Sequence, residues 1–278
     1  MNSVRSPLKY PGGKIKLLPI IVNYLRQLEI NQVGIPFMGG AALDINLAMM
    51  GYKVWSFDNS PCLVEFFRQL QADKNNLIAA IKEQPEPEEA WTDWINIVRG
   101  DKKAAPIQMA AVYYSLNVSS WYGAGLAIVK KEIRANRHNP KQHCVNLAKY
   151  DLRGMDISLM DWESSKLILD DCFVYLDPPY YRIGMTFYGQ DTTGFKHDKL
   201  AAWLKSRDNW LLSYDDTPEV RELYKDHQIR EVFYTSSMKN NKKDGSRKTN
   251  DLLIFANNLT PVDFYSQDEK AKENLSLL

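Results

Sequence analysis

What this chain lacks narrows it first. Its 278 residues include only three cysteines, Cys62, Cys144 and Cys172, spaced far apart, which excludes a disulfide framework and points to a reducing compartment. Four scattered histidines with no Cys or His partners at ligand spacing leave nothing for a structural zinc site. No apolar run approaches a membrane span, because charge or turn residues soon interrupt each one. The first residues place Arg5, Lys9 and Lys14 around Pro7 and Pro11 and lack the apolar centre of a signal peptide. An excess of one charge is missing too: 35 basic side chains face 34 acidic ones. These absences describe a cytoplasmic chain without metal or membrane contact, expected to be a monomer. With 45% hydrophobic residues it can bury a large core, as one domain or as one domain carrying a substantial insertion.

The near-neutral balance hides two basic clusters. Residues 120–150 carry six basic side chains against one acid, and Lys130, Lys131, Arg134, Arg137 and Lys141 form a tight run. Lys239, Lys242, Lys243, Arg247 and Lys248 outweigh Asp244 in a second run. Two such clusters on a neutral protein suit a polyanion contacted locally, although solvated surface loops have the same composition. Gly12-Gly13-Lys14 is not a phosphate loop, since no upstream glycine sits at the required position and Ile15 replaces the metal-binding hydroxyl.

The chain is organised around Val174-Tyr175-Leu176-Asp177-Pro178-Pro179-Tyr180. Phe173 to Leu176 is β-branched and aromatic and predicts a buried central strand. The two prolines cannot donate to a sheet ladder, so the strand stops at Asp177. In an open parallel sheet, ligands bind beyond the carboxyl ends of such strands. A bare Pro-Pro there reads as a strand-stopping turn; the flanking Asp177 and Tyr180 add chemistry to it.

Upstream, Val33 to Phe37 predicts a short strand, Gly39 and Gly40 a turn, Leu43 to Met50 a helix and Lys53 to Phe57 a second strand closing on Asp58. Glycines at such a turn let a ligand approach the backbone and the helix N-terminus. Asp58 lies nineteen residues beyond Gly39, the distance at which an acid after the second strand bonds a ribose diol. From Pro61 to Lys149 helical patterns dominate, with Pro85 to Glu89 reading as an exposed linker between helices. There Trp121, Tyr122 and a Gly123-Ala124-Gly125 bend adjoin the first basic run, and aromatics interleaved with cations can touch both bases and phosphates. Core packing explains the two aromatics equally well. Beyond the central strand, Tyr181 to Phe195 is long enough for an active-site lid. Arg230 to Tyr234 and Asp251 to Ala256 predict a closing hairpin, and the polar tail beyond Thr260 is peripheral.

Pro7-Leu8-Lys9-Tyr10-Pro11-Gly12-Gly13-Lys14, Pro36-Phe37-Met38-Gly39-Gly40 with Asp58, Asp177-Pro178-Pro179-Tyr180, Ser213-Tyr214-Asp215 and Asp251-Leu252-Leu253 together resemble the Dam-like family of adenine-specific DNA methyltransferases. The resemblance covers residues 5–58 and 155–256 and rests on motif order and spacing. It implies an α/β fold: a Rossmann-like methyltransferase sheet, mostly parallel with a C-terminal antiparallel hairpin, plus a helical inserted target-recognition domain. The catalytic domain would be 1–60 and 150–260, the insertion 61–149 and the peripheral tail 261–278. It further implies S-adenosylmethionine as cofactor, held by Tyr10, Lys14, Phe37, Gly39, Gly40, Asp58 and Asp177. Catalysis on a flipped adenine would fall to Asp177, the Pro178 carbonyl and Tyr180, with Lys9 as a contact to double-stranded DNA beside Trp121, Tyr122 and the basic runs.

Two departures stand out. Ile35 occupies the position just before Pro-Phe where relatives usually have an acid, and the Asn-Gly-Leu and Arg-Tyr-Asn pattern of relatives that read GATC is absent. The alternatives are methylation of the cytosine amine, whose enzymes more often place Ser before the Pro-Pro, and a methyltransferase-like DNA-binding protein with impaired catalysis.

Overall fold

The computed structural model describes residues 3–10, 13–120, 139–181, 194–235 and 248–261. Its seven strands are β1 (Gln32–Ile35), β2 (Lys53–Asp58), β3 (Met155–Leu159), β4 (Phe173–Leu176), β5 (Trp210–Asp215), β6 (Gln228–Thr235) and β7 (Lys248–Phe255). They form one sheet in the order β3-β2-β1-β4-β5-β7-β6. The first five are parallel, and β7 runs antiparallel to both β5 and β6. The expected closing hairpin is present. Chain order reverses between β1 and β4, so the strand ends at that junction open the crevice where α/β sheets take ligands.

β4 and β5 are buried along their whole length, as their Val, Leu and aromatic content demands of central strands covered on both faces. Helices α1 (Leu18–Gln27) and α2 (Ala42–Met49) precede and follow β1. After β2 come α3 (Pro61–Ala72), α4 (Lys74–Lys82), α5 (Pro87–Arg99), α6 (Pro106–Ser119) and the short α7 (Pro140–His143). The one-turn α8 (Trp162–Ser165), then α9 (His197–Lys205) and α10 (Pro218–Leu223), separate the later strands.

The helices after β2 do not all stand apart from the sheet. Leu63, Phe66 and Phe67 of α3, Leu77 and Ile81 of α4 and Ala110, Ala111 and Tyr114 of α6 share one core with the strands. A second, small core joins Trp91, Trp94 and Ile97 of α5 to Val112 and Leu116 on the other side of α6. α6 is therefore apolar all round, the signature of a helix buried on every side.

Of the stretch read as an exposed linker, Pro85 and Glu86 do lie exposed between α4 and α5, whereas Pro87, Glu88 and Glu89 already form the start of α5. Pro87 stands in the first turn, where its missing N–H costs nothing, and Glu88 and Glu89 follow where the helix dipole favours acids. Gly100, at φ +85°, closes the same helix in the left-handed conformation. Among the described residues no helix is long and apolar enough to cross a membrane, and no group of three or more His, Cys, Asp or Glu is placed to hold a metal ion.

Candidate active site

The carboxyl ends of β1, β2, β4 and β5, with the amino-terminal half of the antiparallel β7, gather most of the residues singled out above. Ile35 ends β1, and a tight turn leads into α2. Gly39 sits at φ +49°, and a Cβ added there would lie 2.9 Å from the Tyr10 ring, so this position needs glycine for conformation and for space. At Gly40 a Cβ would meet Tyr10 at 2.7 Å and the Ser6 hydroxyl at 2.9 Å. The Ser6 hydroxyl donates to the Gly40 carbonyl at 2.5 Å, and Asn46 bonds both the N–H and the carbonyl of Val4. The N-terminal segment is thus laid directly over the glycine turn.

Asp58, at the end of β2, stabilises that turn from the other side. One carboxylate oxygen accepts the Gly39 N–H at 3.0 Å and the other accepts the Ser60 N–H at 3.0 Å. Burial raises its pKa, opposed by these backbone N–H donors. A fully buried acid lies close by: Ser56 donates to Asp44, in the first turn of α2, at 2.7 Å, and burial pushes the Asp44 carboxyl up to about 7. Ser56 is the register partner of Ile35.

At the end of β4 the diproline releases Asp177 from the ladder, and two side chains, Ser213 and Lys14, orient it. The Ser213 hydroxyl donates to Oδ1 at 2.9 Å and is itself bonded to the Tyr175 hydroxyl at 2.8 Å. The Lys14 ammonium lies 3.2 Å from Oδ1 and 3.3 Å from Oδ2. Lys14 also pairs with Asp251 of β7 at 3.6 Å and stands 5.1 Å from the centre of the Tyr180 ring. The Tyr180 hydroxyl donates to Asp251 at 2.7 Å. Burial and the carboxylates of Asp177 and Asp251 hold the Tyr180 hydroxyl well above its ordinary pKa, so it keeps its proton and acts as donor. Burial raises the Asp251 carboxyl, with Lys14 opposing.

An aromatic wall lines the approach. Phe37 packs edge-on against Phe195, Phe195 against Trp162, and Trp162 against Trp203. Both ends of the long loop converge on His197, whose ring lies 4.7 Å from Tyr181 and 4.8 Å from Phe195 and bonds the Tyr214 hydroxyl. The Tyr181 N–H donates to Asp215 at 2.8 Å. The loop is closed at its base; its middle lies outside the described residues.

Tyr10, Lys14, Phe37, Gly39, Gly40, Asp58, Asp177, Pro178 and Tyr180 therefore all lie along this edge. Lys9 is different: its ammonium donates to the Val118 carbonyl at the end of α6, and burial lowers its pKa. Trp121, Tyr122, Lys130, Lys131, Arg134, Arg137, Lys242, Lys243 and Arg247 lie outside the described residues. Sequence reasoning missed the roles of Asp251, Asp44 and Asn117. Asp251 was visible only as the head of an apolar strand motif, and nothing local marked the other two.

Chemically, the arrangement is a fixed carboxylate and an aromatic ring facing a glycine turn, with an ammonium shared between two acids. A comparison with curated proteins gave no match. The model of the D12 class N6 adenine-specific DNA methyltransferase family matches residues 10–238. The chain belongs to this family and is an adenine DNA methyltransferase.

Proposed function

We propose that this adenine DNA methyltransferase transfers a methyl group from S-adenosylmethionine to the exocyclic 6-amino group of an adenine flipped out of double-stranded DNA, at a specific short sequence. The observation that carries the reading is Asp177, held by Ser213 and Lys14 at the strand end beside the glycine turn.

The residues present fit the cofactor. The missing side chains of Gly39 and Gly40 let Tyr10 pack directly on the turn, so its ring stands beside the backbone that a cofactor would approach. Asp58 is a partly buried carboxylate at the end of the neighbouring strand, suited to a ribose diol. When bound, S-adenosylmethionine supplies an electrophilic methyl group on a sulfonium. Tyr10, Lys14, Phe37, Gly39, Gly40, Asp58 and Asp177 are the residues that would hold it.

The chain's own residues do the rest. The adenine amine is a poor nucleophile because its lone pair is delocalised into the ring, and it is out of reach in a stacked duplex. Asp177 and the Pro178 carbonyl accept its two hydrogens, which favours a pyramidal nitrogen and localises the lone pair. As positive charge develops on that nitrogen, the Asp177 carboxylate stabilises it, and the proton that the methylated amine then sheds leaves by way of this carboxylate to solvent. Tyr180 stacks on the extruded ring, and the wall of Phe37, Phe195 and Trp162 excludes water. Ser213 and Lys14 keep the carboxylate from turning away, so positioning supplies much of the acceleration. Target recognition falls to the helical segment 61–149, with its aromatic and basic stretch reaching the DNA.

The test is incubation with methyl-labelled S-adenosylmethionine and DNA of mixed sequence, followed by hydrolysis to nucleosides. Label on N6-methyladenine is expected, and mapping the modified bases gives the target. Label on cytosine, or DNA retention without label, would overturn the reading.

A further inference from the structure

Asp251 has no part in the reaction just described, yet it makes two contacts with the groups that do. It enters from β7, on the far side of β5 from β4, and is 7% exposed. Its Oδ2 accepts the Tyr180 hydroxyl at 2.7 Å and faces the Lys14 ammonium at 3.6 Å. A tyrosine side chain has two principal torsions. Holding its hydroxyl fixes the first, which decides where the ring stands. The Tyr214 ring, 6.2 Å away at an interplanar angle of 32°, restricts the second, which decides how the ring faces. The diproline sets the backbone from which Tyr180 departs, so the ring is located from both ends. Lys14 links the same carboxylate to Asp177, so a shift of Asp251 moves the ring and the partner of Asp177 together.

We propose that Asp251 is a positioning residue for methyl transfer: through the Tyr180 hydroxyl it holds the ring on which the target base stacks, and through Lys14 it helps set the orientation of Asp177. The inference rests on the reading above. It makes the hydroxyl of Tyr180, and not only its ring, part of the machinery.

The test compares single-turnover methylation of DNA and cofactor affinity for Asp251→Asn, Asp251→Ala, Tyr180→Phe and the double variant Asp251→Ala with Tyr180→Phe. Asparagine keeps an oxygen to accept the Tyr180 hydroxyl and removes only the charge. Phenylalanine keeps the ring and removes only the tether. Tyr180→Phe is expected to lower the single-turnover rate about tenfold, and Asp251→Ala by up to about 10²-fold, the scale of a misplaced reacting group. The double variant should be no slower than Asp251→Ala, and Asp251→Asn should recover much of the rate. Cofactor affinity should change far less than rate.

Losses that multiply in the double variant, or a wild-type rate in Tyr180→Phe, would overturn the inference. So would a loss confined to cofactor affinity. Asp251→Asn and Tyr180→Phe are nearly isosteric, so they carry the test if Asp251→Ala does not fold. If the wild-type protein puts no label on adenine, the functional reading fails. If the wild type labels adenine and the losses multiply, only this inference fails.

Discussion

Asn117 holds both backbone polar groups of one distant residue: its Oδ1 accepts the Lys9 N–H at 2.9 Å, and its Nδ2 donates to the Lys9 carbonyl at 3.0 Å. The end of α6 is thereby fastened to the segment that carries Tyr10 and Lys14. Asn117 is 3% exposed, so alanine in its place strands polar groups away from water. An unsatisfied buried group costs about 1–3 kcal/mol. Asn117→Ala should therefore lower the unfolding free energy by about 2–3 kcal/mol in urea titrations, with methylation falling further than in an equally destabilised variant remote from the site. A change within 0.5 kcal/mol, the ordinary range of surface substitutions at about ±0.5 kcal/mol, would contradict this role.

The neighbouring bond separates a protein role for Lys9 from a DNA role. Its ammonium donates to the Val118 carbonyl, at a helix end where the dipole favours a cation. Lys9→Met should therefore cost stability while leaving the salt dependence of DNA binding unchanged. A lysine that neutralises one phosphate contributes about 0.9 to the slope of log K against log salt. A fall of that size in Lys9→Met would assign the ammonium to DNA instead.

Asp177 should be separable from folding. It is partly exposed, with the Lys14 ammonium retaining Asp251 when Asp177 is removed. Asp177→Ala is expected to reduce single-turnover methylation by at least about 10²–10³, the loss typical of one preorganised stabilising group, with the unfolding midpoint nearly unchanged. Wild-type-like turnover would sink the mechanism.

The features legible in the sequence were the local ones. The diproline stopped β4 at Leu176, one residue short of Asp177, because proline cannot continue a ladder. The distance from Gly39 to Asp58 reappears as a direct hydrogen bond. What escaped was made by long-range convergence. Tyr180 and Asp251 are 71 positions apart and Lys14 and Asp177 are 163 apart, so no local pattern aims one at the other. Asn117 was hidden for another reason: α6 is buried on every side, so no polar face marked its asparagine as different. Pro85 and Glu86 form the expected linker, but Pro87 to Glu89 belong to α5, because proline marks helix starts as readily as linkers.

Asp44 gives a pH signature. Burial, with a smaller contribution from Asp58, raises its carboxyl from 3.8 to about 7, against the opposing Ser56 hydrogen bond. The folded protein therefore keeps this proton at pH values where the unfolded chain releases it. The contribution is complete below about pH 4 and is lost as pH rises toward 7. Each tenfold difference in proton affinity is worth about 1.4 kcal/mol, so the loss is on the order of 4 kcal/mol. Asparagine cannot ionise, and its amide oxygen can still accept the Ser56 hydroxyl. Asp44→Asn should therefore match the wild type closely near pH 4 and become progressively more stable than it toward pH 8. Urea unfolding of both proteins at pH 5, 6, 7 and 8 measures this, and a stability difference that stays flat across the series would show that Asp44 does not hold its proton in the folded state.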